Sequence, residues 1–306
     1  MKKDLEVLTS TRMMPFQFFR EWLVEACVRS GIKKRKDLPL PWAVKVAIAK
    51  LGLCFPLHKK KKLLVMAGGK PEYFSWPWCY FYEIVPVVWD CWPMWLPYLI
   101  KFAKRNKTRT IFCTASVTAR HLKEAIPEIN AVWLPEGINV EKYPAGRPLV
   151  ERNIDILEMG RIKKDVHQVL MQHKFSRKIV HKYPTESLVF PDFDSMTQGM
   201  RDCKIAICYP RSDTDPNVAG DVETLTQRYW EFMLSGALIV GRAPKELMDF
   251  CGYNPVVEIK DNIGESVEKI LNNIGRYQHF VNSNRIFAEK YASWDSRIPI
   301  ILEHLK

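Results

Sequence analysis

Two carboxylates, Glu223 and Glu231, stand eight positions apart in the stretch DVETLTQRYWEFMLSGALIVG (221–241). A polar run and an aromatic pair separate them, and small residues and an apolar strand-like run follow. If a helix begins near Leu225, Glu223 lies in the turn before it and Glu231 on its second turn. The backbone N–H groups of Thr224, Leu225 and Thr226 then lack helical partners, and such donors at a helix start can hold phosphate oxygens. A carboxylate on the helix can accept two hydrogen bonds from a vicinal diol such as a ribose. An amphipathic helix with two exposed glutamates fits the same letters. Glu231, however, sits beside Trp230, Phe232 and Met233, and a carboxylate drawn into such surroundings needs partners.

Other loops hold reactive residue types. In EMGRIKKDVHQ (158–168), Gly160 ends an apolar run and Arg161 follows where a helix should begin. A permanently charged guanidinium there, with Lys163 and Lys164 behind it, suits an anion; a solvated basic turn fits the loop equally well. CYPRSDTDPNVAGDVE (208–223) is long, polar and rich in Asp, as functional loops often are. Its aspartates lack the spacing of a calcium loop. Gly68 and Gly69 follow the apolar run LLVMA, where a turn, or a backbone approach to phosphate, fits. Asp90 in VVWDCWP (87–93) either caps a strand-end turn or orients a hydroxyl. His121 and His167 read as surface or capping histidines.

The elements that must position these residues alternate. EIVPVVWD, TRTIFCTA and NAVWLPEG have strand character, with helical spacing in LPYLIKFAKRNK and SVTARHLKEAIP between them. Helices are expected at 15–31 and 41–53, ahead of a run of four lysines (59–62) and the strand LLVMA. After the Pro- and Gly-containing stretch NVEKYPAGRPLVERN, alternation resumes with IDILEMG, RKIVHKY, SLVF, KIAICYP, ALIVG and NPVVEI as strands. This pattern predicts α/β architecture with two doubly wound parallel sheets. Ligands of such sheets bind beyond the carboxyl ends of the strands, and a cleft between two such domains is the default site.

The chain has 306 residues, 47% hydrophobic, with 46 Lys+Arg against 34 Asp+Glu and a net charge of +12. This surplus points to an anionic partner: nucleic acid, an acidic membrane surface or a phosphorylated substrate. Eight cysteines show no C-x-x-C spacing, which argues against a zinc ribbon and for reduced, buried thiols in the cytoplasm. The N-terminus lacks the apolar core of a signal peptide, and the most apolar window, EIVPVVWDCWPMWLPYLI, is broken by Asp90 and three prolines. Five tryptophans between 76 and 95 lie near basic runs, which suits an interface with anionic lipid, stacking on sugar rings, or a bulky core under a solvated basic face.

In the order in which they occur, these pieces resemble the retaining "group 1" glycosyltransferases of GT-B fold. Glu223-TLTQRYW-Glu231 is similar to that family's E-x(7)-E motif, and FMLSGALIVG to the run after it. LPEGINVEKY resembles the element closing the first domain, LEMGRI the strand end opening the second, MRDCKIAICYPRS the strand before the donor loop, and VVWDCWP an acceptor-side loop. The likeness spans roughly 85–295 in sequence order. It departs at Val166, where the family has a lysine that Lys163 or Lys164 would replace, and at Thr224-Leu225-Thr226, where the family has glycines. The resemblance implies GT-B architecture with an acceptor-side domain (1–146), a nucleotide-sugar domain (147–288) and a C-terminal helix (289–306) packing back on the first. It implies transfer from a nucleotide-diphosphate sugar to a glycan or lipid-linked acceptor, with retention, no metal and no cofactor. Gly160, Arg161, Lys163, Lys164, Thr224, Leu225, Thr226 and Glu231 would bind donor. Glu223 and Asp90 would serve catalysis, and Gly68, Gly69 and Trp92 would line the acceptor side. A cytoplasmic enzyme, peripheral at an anionic membrane, fits this reading. Other readings are a basic nucleic-acid-binding protein, against which stands the lack of a helix-turn-helix or RNP-like sequence, a sugar-nucleotide epimerase of the same fold, and a non-catalytic sugar-nucleotide binder.

Overall fold

Residues 4–9, 18–51 and 61–306 are described by a computed structural model. Lys59, Lys60, Cys54 and the outer ends of the helices expected at 15–31 and 41–53 lie outside the described residues. The chain forms two compact units: residues 1–137, 217–224 and 294–306 make the first, and residues 138–216 and 225–293 the second. The changeover thus falls at Gly137/Ile138 rather than at 146/147, and the chain re-enters the first unit twice.

The first unit begins with β1 (Leu5–Leu8), α1 (Phe19–Arg29), β2 (Lys33–Arg35) and α2 (Trp42–Lys50). It continues through β3 (Lys62–Ala67), α3 (Pro71–Ser75), β4 (Glu83–Val88), α4 (Leu96–Asn106), β5 (Thr110–Cys113), α5 (Ser116–Ala125) and β6 (Asn130–Trp133). Its sheet has the order β2-β1-β3-β4-β5-β6, and every pair is parallel. The uninterrupted runs LLVMA and IVPVV are buried along their whole length, as strands covered on both faces must be. β1 was not expected: its four residues include Glu6, which interrupts the apolar pattern. The fold buries Glu6 to 1% exposure and satisfies it with Arg35 Nε at 2.7 Å and the Tyr82 hydroxyl at 3.1 Å.

The second unit contains β7 (Ile154–Glu158), α6 (Lys164–Gln172), β8 (His181–Lys182), α7 (Phe193–Arg201), β9 (Cys203–Cys208) and α8 (Arg211–Thr214). The one-turn helix α9 (Pro216–Ala219) begins where the chain enters its first-unit segment. Back in the second unit come α10 (Gln227–Ser235), β10 (Leu238–Gly241), α11 (Lys245–Cys251), β11 (Val257–Glu258), α12 (Ile263–Asn272) and α13 (Gln278–Tyr291). The all-parallel sheet order is β11-β10-β9-β7-β8. Ile156, Val166, Leu170, Ile205, Leu238 and Val267 share one core between sheet and helices. SLVF forms an irregular, bent segment instead of a strand, and RKIVHKY yields only the two residues of β8.

The last helix, α14 (Ile298–His304), lies in the first unit, where Leu305 O accepts from Lys62 Nζ at 2.8 Å. Trp294 anchors this return: it is 1% exposed, meets Trp89 edge-on at 5.7 Å, and passes so close to Gly137 that a Cβ there would lie 2.9 Å from its backbone nitrogen. Arg29 holds Asp295 through two hydrogen bonds of 3.1 and 2.7 Å. The seven described cysteines are unpaired, and six are buried. Among the described residues no helix is long and apolar enough to cross a membrane.

Candidate functional site

In the second unit the loop after β7 and the first turns of α10 converge. Gly160 has φ +73°, a backbone conformation that glycine adopts without steric cost. A Cβ there would come within 3.6 Å of Arg228 Nη2. Arg228 Nη1 lies 3.0 Å from Glu231 Oε2, one turn along the helix, and 4.0 Å from Met159 Sδ. Glu231 Oε1 accepts from the Tyr143 hydroxyl at 2.8 Å. Burial, then the Glu231 charge, push the Tyr143 phenol well above its ordinary range, so it stays protonated and donates. Glu231 is 6% exposed and therefore needs both partners. A carboxylate offers about four lone-pair sites, so two hydrogen bonds remain available to a diol.

The helix containing Glu231 starts two residues later than expected. Thr226 is its extended N-cap, and the Leu225 N–H is already bonded to Glu246 Oε2 at 2.9 Å. Thr224 and Leu225 are both buried, at 3% and 0% exposure, so the expected row of three open backbone donors does not form. Thr224 Oγ1 is buried without a hydrogen-bond partner among the described residues. In the neighbouring loop Arg161 and Lys164 are exposed, and Lys164 is the first residue of α6. Lys163 Nζ sits 2.9 Å from Asp165, holding that carboxyl below its ordinary range, and 5.6 Å over the Tyr209 ring. The loop aspartates are engaged by arginines: Asp213 by Arg242 Nε at 2.6 Å, and Asp215 by Arg211 Nη2 at 3.0 Å.

In the first unit, Asp90 follows β4 with φ +49°, exposed, where a non-glycine residue is uncommon and Asp is among the tolerated ones. Burial lowers the pKa of the Arg20 guanidinium, and the Asp90 charge opposes that shift. Trp92 is only 3% exposed and packs with Ala115, Ala219 and Val222. It is therefore a core residue with no ring face for stacking a sugar, which corrects its assignment to the acceptor side. Gly69 is required for packing: a Cβ there would fall 2.4 Å from the Trp95 side chain. Gly68 has room, its nearest neighbour being Phe74 at 3.8 Å.

Trp92 also explains why Glu223 belongs to this unit. Val222 packs in the Trp92 cluster, and the Cβ position of Gly220 lies 2.8 Å from Pro93. The Asp90–Pro93 turn and the Gly220–Glu223 segment are thus packed together. The two carboxylates at eight-residue spacing belong to different units, Glu223 to the first and Glu231 to the second. Three residues with site-like surroundings escaped sequence reasoning: Tyr143, Arg228 and Lys70. Arg228 was legible, three positions before Glu231 on a helix. Lys70 lies over the rings of Tyr73, Trp95 and Tyr98, 4.1 Å from the last. Nothing in the sequence near Lys70 marks that arrangement.

No family model matches the chain, and no curated protein matches it in sequence. Solved structures do resemble it. HepE from Anabaena, crystallised in complex with UDP, superposes with a TM-score of 0.61 at 10% identity, covering 98% of each chain. TarM gives 0.53 at 12% identity over 87% of this chain, which spans only 58% of TarM. AviGT4, described as a glycosyltransferase involved in avilamycin A biosynthesis, gives 0.47 at 13% identity. Two parallel, doubly wound α/β units together with the whole-length likeness to HepE define a GT-B-type fold.

Proposed function

We propose that the protein transfers a sugar from a nucleoside-diphosphate sugar to a glycan or lipid-linked acceptor, with retention of anomeric configuration and no metal at the diphosphate. One observation carries the reading: in a fold like that of a UDP-bound protein, the Gly160 loop, Arg228 and the half-satisfied Glu231 meet at the carboxyl end of a parallel sheet. Arg161, with Lys163 or Lys164, neutralises the diphosphate as charge grows on it in the transition state, which lowers the barrier. Glu231, oriented by Tyr143 and Arg228, accepts from the ribose hydroxyls. Glu223 positions the sugar. Asp90 orients the acceptor hydroxyl, and the leaving phosphate takes its proton. These cations do what a divalent metal does elsewhere, so transfer needs none.

On the acceptor side the proposal draws on α2, which buries Lys45 while leaving apolar residues exposed. Its Lys45 is 5% exposed and paired with Asp37, while Trp42 and Val44 are 41% and 40% exposed. Lys33, Lys34, Lys36 and Lys50 are exposed as well. Exposed apolar side chains in a lysine-rich segment suit an anionic bilayer surface. A peripheral enzyme on the cytoplasmic face of a membrane fits this arrangement.

The test is a panel of nucleotide sugars in thermal-shift and turnover assays, since a bound donor raises apparent stability by mass action. The reading expects one donor class to stabilise the protein and to release nucleoside diphosphate only when acceptor is present. Release without acceptor, together with a rearranged sugar, would favour an epimerase.

A further inference from the structure

We propose that Glu158, His167 and His181 form a binding site for a first-row divalent transition cation of the zinc type. The β7–α6–β8 crossover assembles them. Ile156 of β7 is in register with His181 of β8, so Glu158, two residues on, projects from the same face of the sheet as His181. α6 covers that face, with Val166 and Leu170 packed in the core around Ile156, and its next residue, His167, comes down beside Glu158. One ligand atom from each of the three side chains lies within 4.8 Å of the others. His167 Nδ1 is 2.7 Å and His181 Nε2 2.8 Å from the same oxygen, Glu158 Oε1.

A second observation separates this trio from a plain hydrogen-bonded cluster. The Glu158 side chain is 2% exposed, and its other oxygen, Oε2, is buried with no hydrogen-bond partner among the described residues. Buried carboxylate oxygens are costly when unpartnered, and a cation is the partner that would satisfy both oxygens of Glu158 at once. Two imidazoles and one carboxylate form a donor set typical of zinc and neighbouring divalent ions. Ligands at about 2.0–2.2 Å in tetrahedral array stand roughly 3.3 Å apart, so binding opens the present contacts by about half an ångström. Tyr183 lies edge-on to both imidazoles, at 4.9 and 5.0 Å, and limits their rotation. His167 is 24% exposed, which gives the ion access from solvent and leaves a coordination position for water. The bound ion would clasp α6 and β8 to β7. The assignment is independent of sugar transfer and requires no nucleotide.

The experiment uses untagged full-length protein stripped with EDTA and desalted. Zn2+ is titrated calorimetrically, and Co2+ is followed by its visible absorption, in wild type, H167A, H181A and the control H279A, which alters an exposed histidine elsewhere. Wild type and H279A should bind one equivalent, with a rise in Tm and a tetrahedral or five-coordinate Co2+ spectrum. H167A and H181A should bind at least about 100-fold more weakly. Absence of stoichiometric binding in wild type, or equal affinity in H167A, would overturn the site. H167A changes a partly exposed helix residue, so it decides the matter if H181A fails to fold.

Discussion

Glu231 lies at the centre of the proposed donor site, and its environment makes specific demands. Tyr143 and Arg228 each hold one of its oxygens. Tyr143→Phe leaves a buried carboxylate oxygen short of a donor and should destabilise the protein by about 1–3 kcal/mol, read as a lower midpoint in urea unfolding. Arg228→Ala removes the contact joining Glu231 to the Gly160 loop, and a nucleotide-sugar KM raised about tenfold or more is expected, since charge-assisted hydrogen bonds contribute about 1.5–3 kcal/mol. An unchanged KM would remove Arg228 from the site. At this scale the spacing of Glu223 and Glu231 and the adjacency of Gly160 and Arg161 could be read, because they are local patterns. Tyr143 stayed hidden because its hydroxyl meets a residue 88 positions away. Trp92 misled for the opposite reason: an aromatic beside an aspartate looks like a binding face, and only packing shows that its ring is spent on Ala115, Ala219 and Val222.

Among the elements, strand–helix alternation was the readable part, since buried parallel strands are short apolar runs and the helices between them have their own period. β1 was not readable, because Glu6 is paid for by Arg35 and Tyr82 from distant parts of the chain. α10 starts after Thr226, and Glu246 takes the Leu225 N–H just before it, a tertiary contact that the local sequence does not show. Two predictions belong here. Gly69→Ala drives a methyl into Trp95 and should cost about 1–3 kcal/mol of stability, whereas Gly68→Ala, which meets only Phe74 at ordinary contact distance, should cost little; equal effects in thermal unfolding would refute the packing account. Paired Trp42→Glu and Val44→Glu changes on α2 should abolish co-sedimentation with vesicles rich in phosphatidylglycerol while leaving the circular dichroism spectrum intact. Retained sedimentation would move the membrane contact off α2.

For the whole molecule, the basic surplus and the parallel topology came from composition and order, while the assignment of segments to units did not. Residues 217–224 join the first unit through contacts with Trp92 and Pro93 that no linker-like composition announces. Stability against acid is a property of both units. Burial pushes the Asp155 carboxyl up, but hydrogen bonds from Arg177 and Lys204 outweigh it; Glu6 is likewise held below its ordinary range despite burial. Depressed carboxyls stabilise the fold at pH above their ordinary values near 4 and lose that contribution as the pH falls through the lowered values. Unfolding free energy should therefore drop steeply below about pH 4. Asp155→Asn, which breaks a buried ionic group, should cost about 3 kcal/mol at neutral pH and flatten that drop; an unchanged acid limb would show that Asp155 is not its source. The most direct test of the sugar-transfer reading is nucleoside diphosphate release from the stabilising nucleotide sugar, measured with and without acceptor in wild type, Arg161→Ala and Glu223→Ala. Acceptor-dependent release is expected in wild type and its loss in both variants, with the fold retained. Undiminished turnover in both variants, or no nucleotide sugar bound by the wild type, would contradict it.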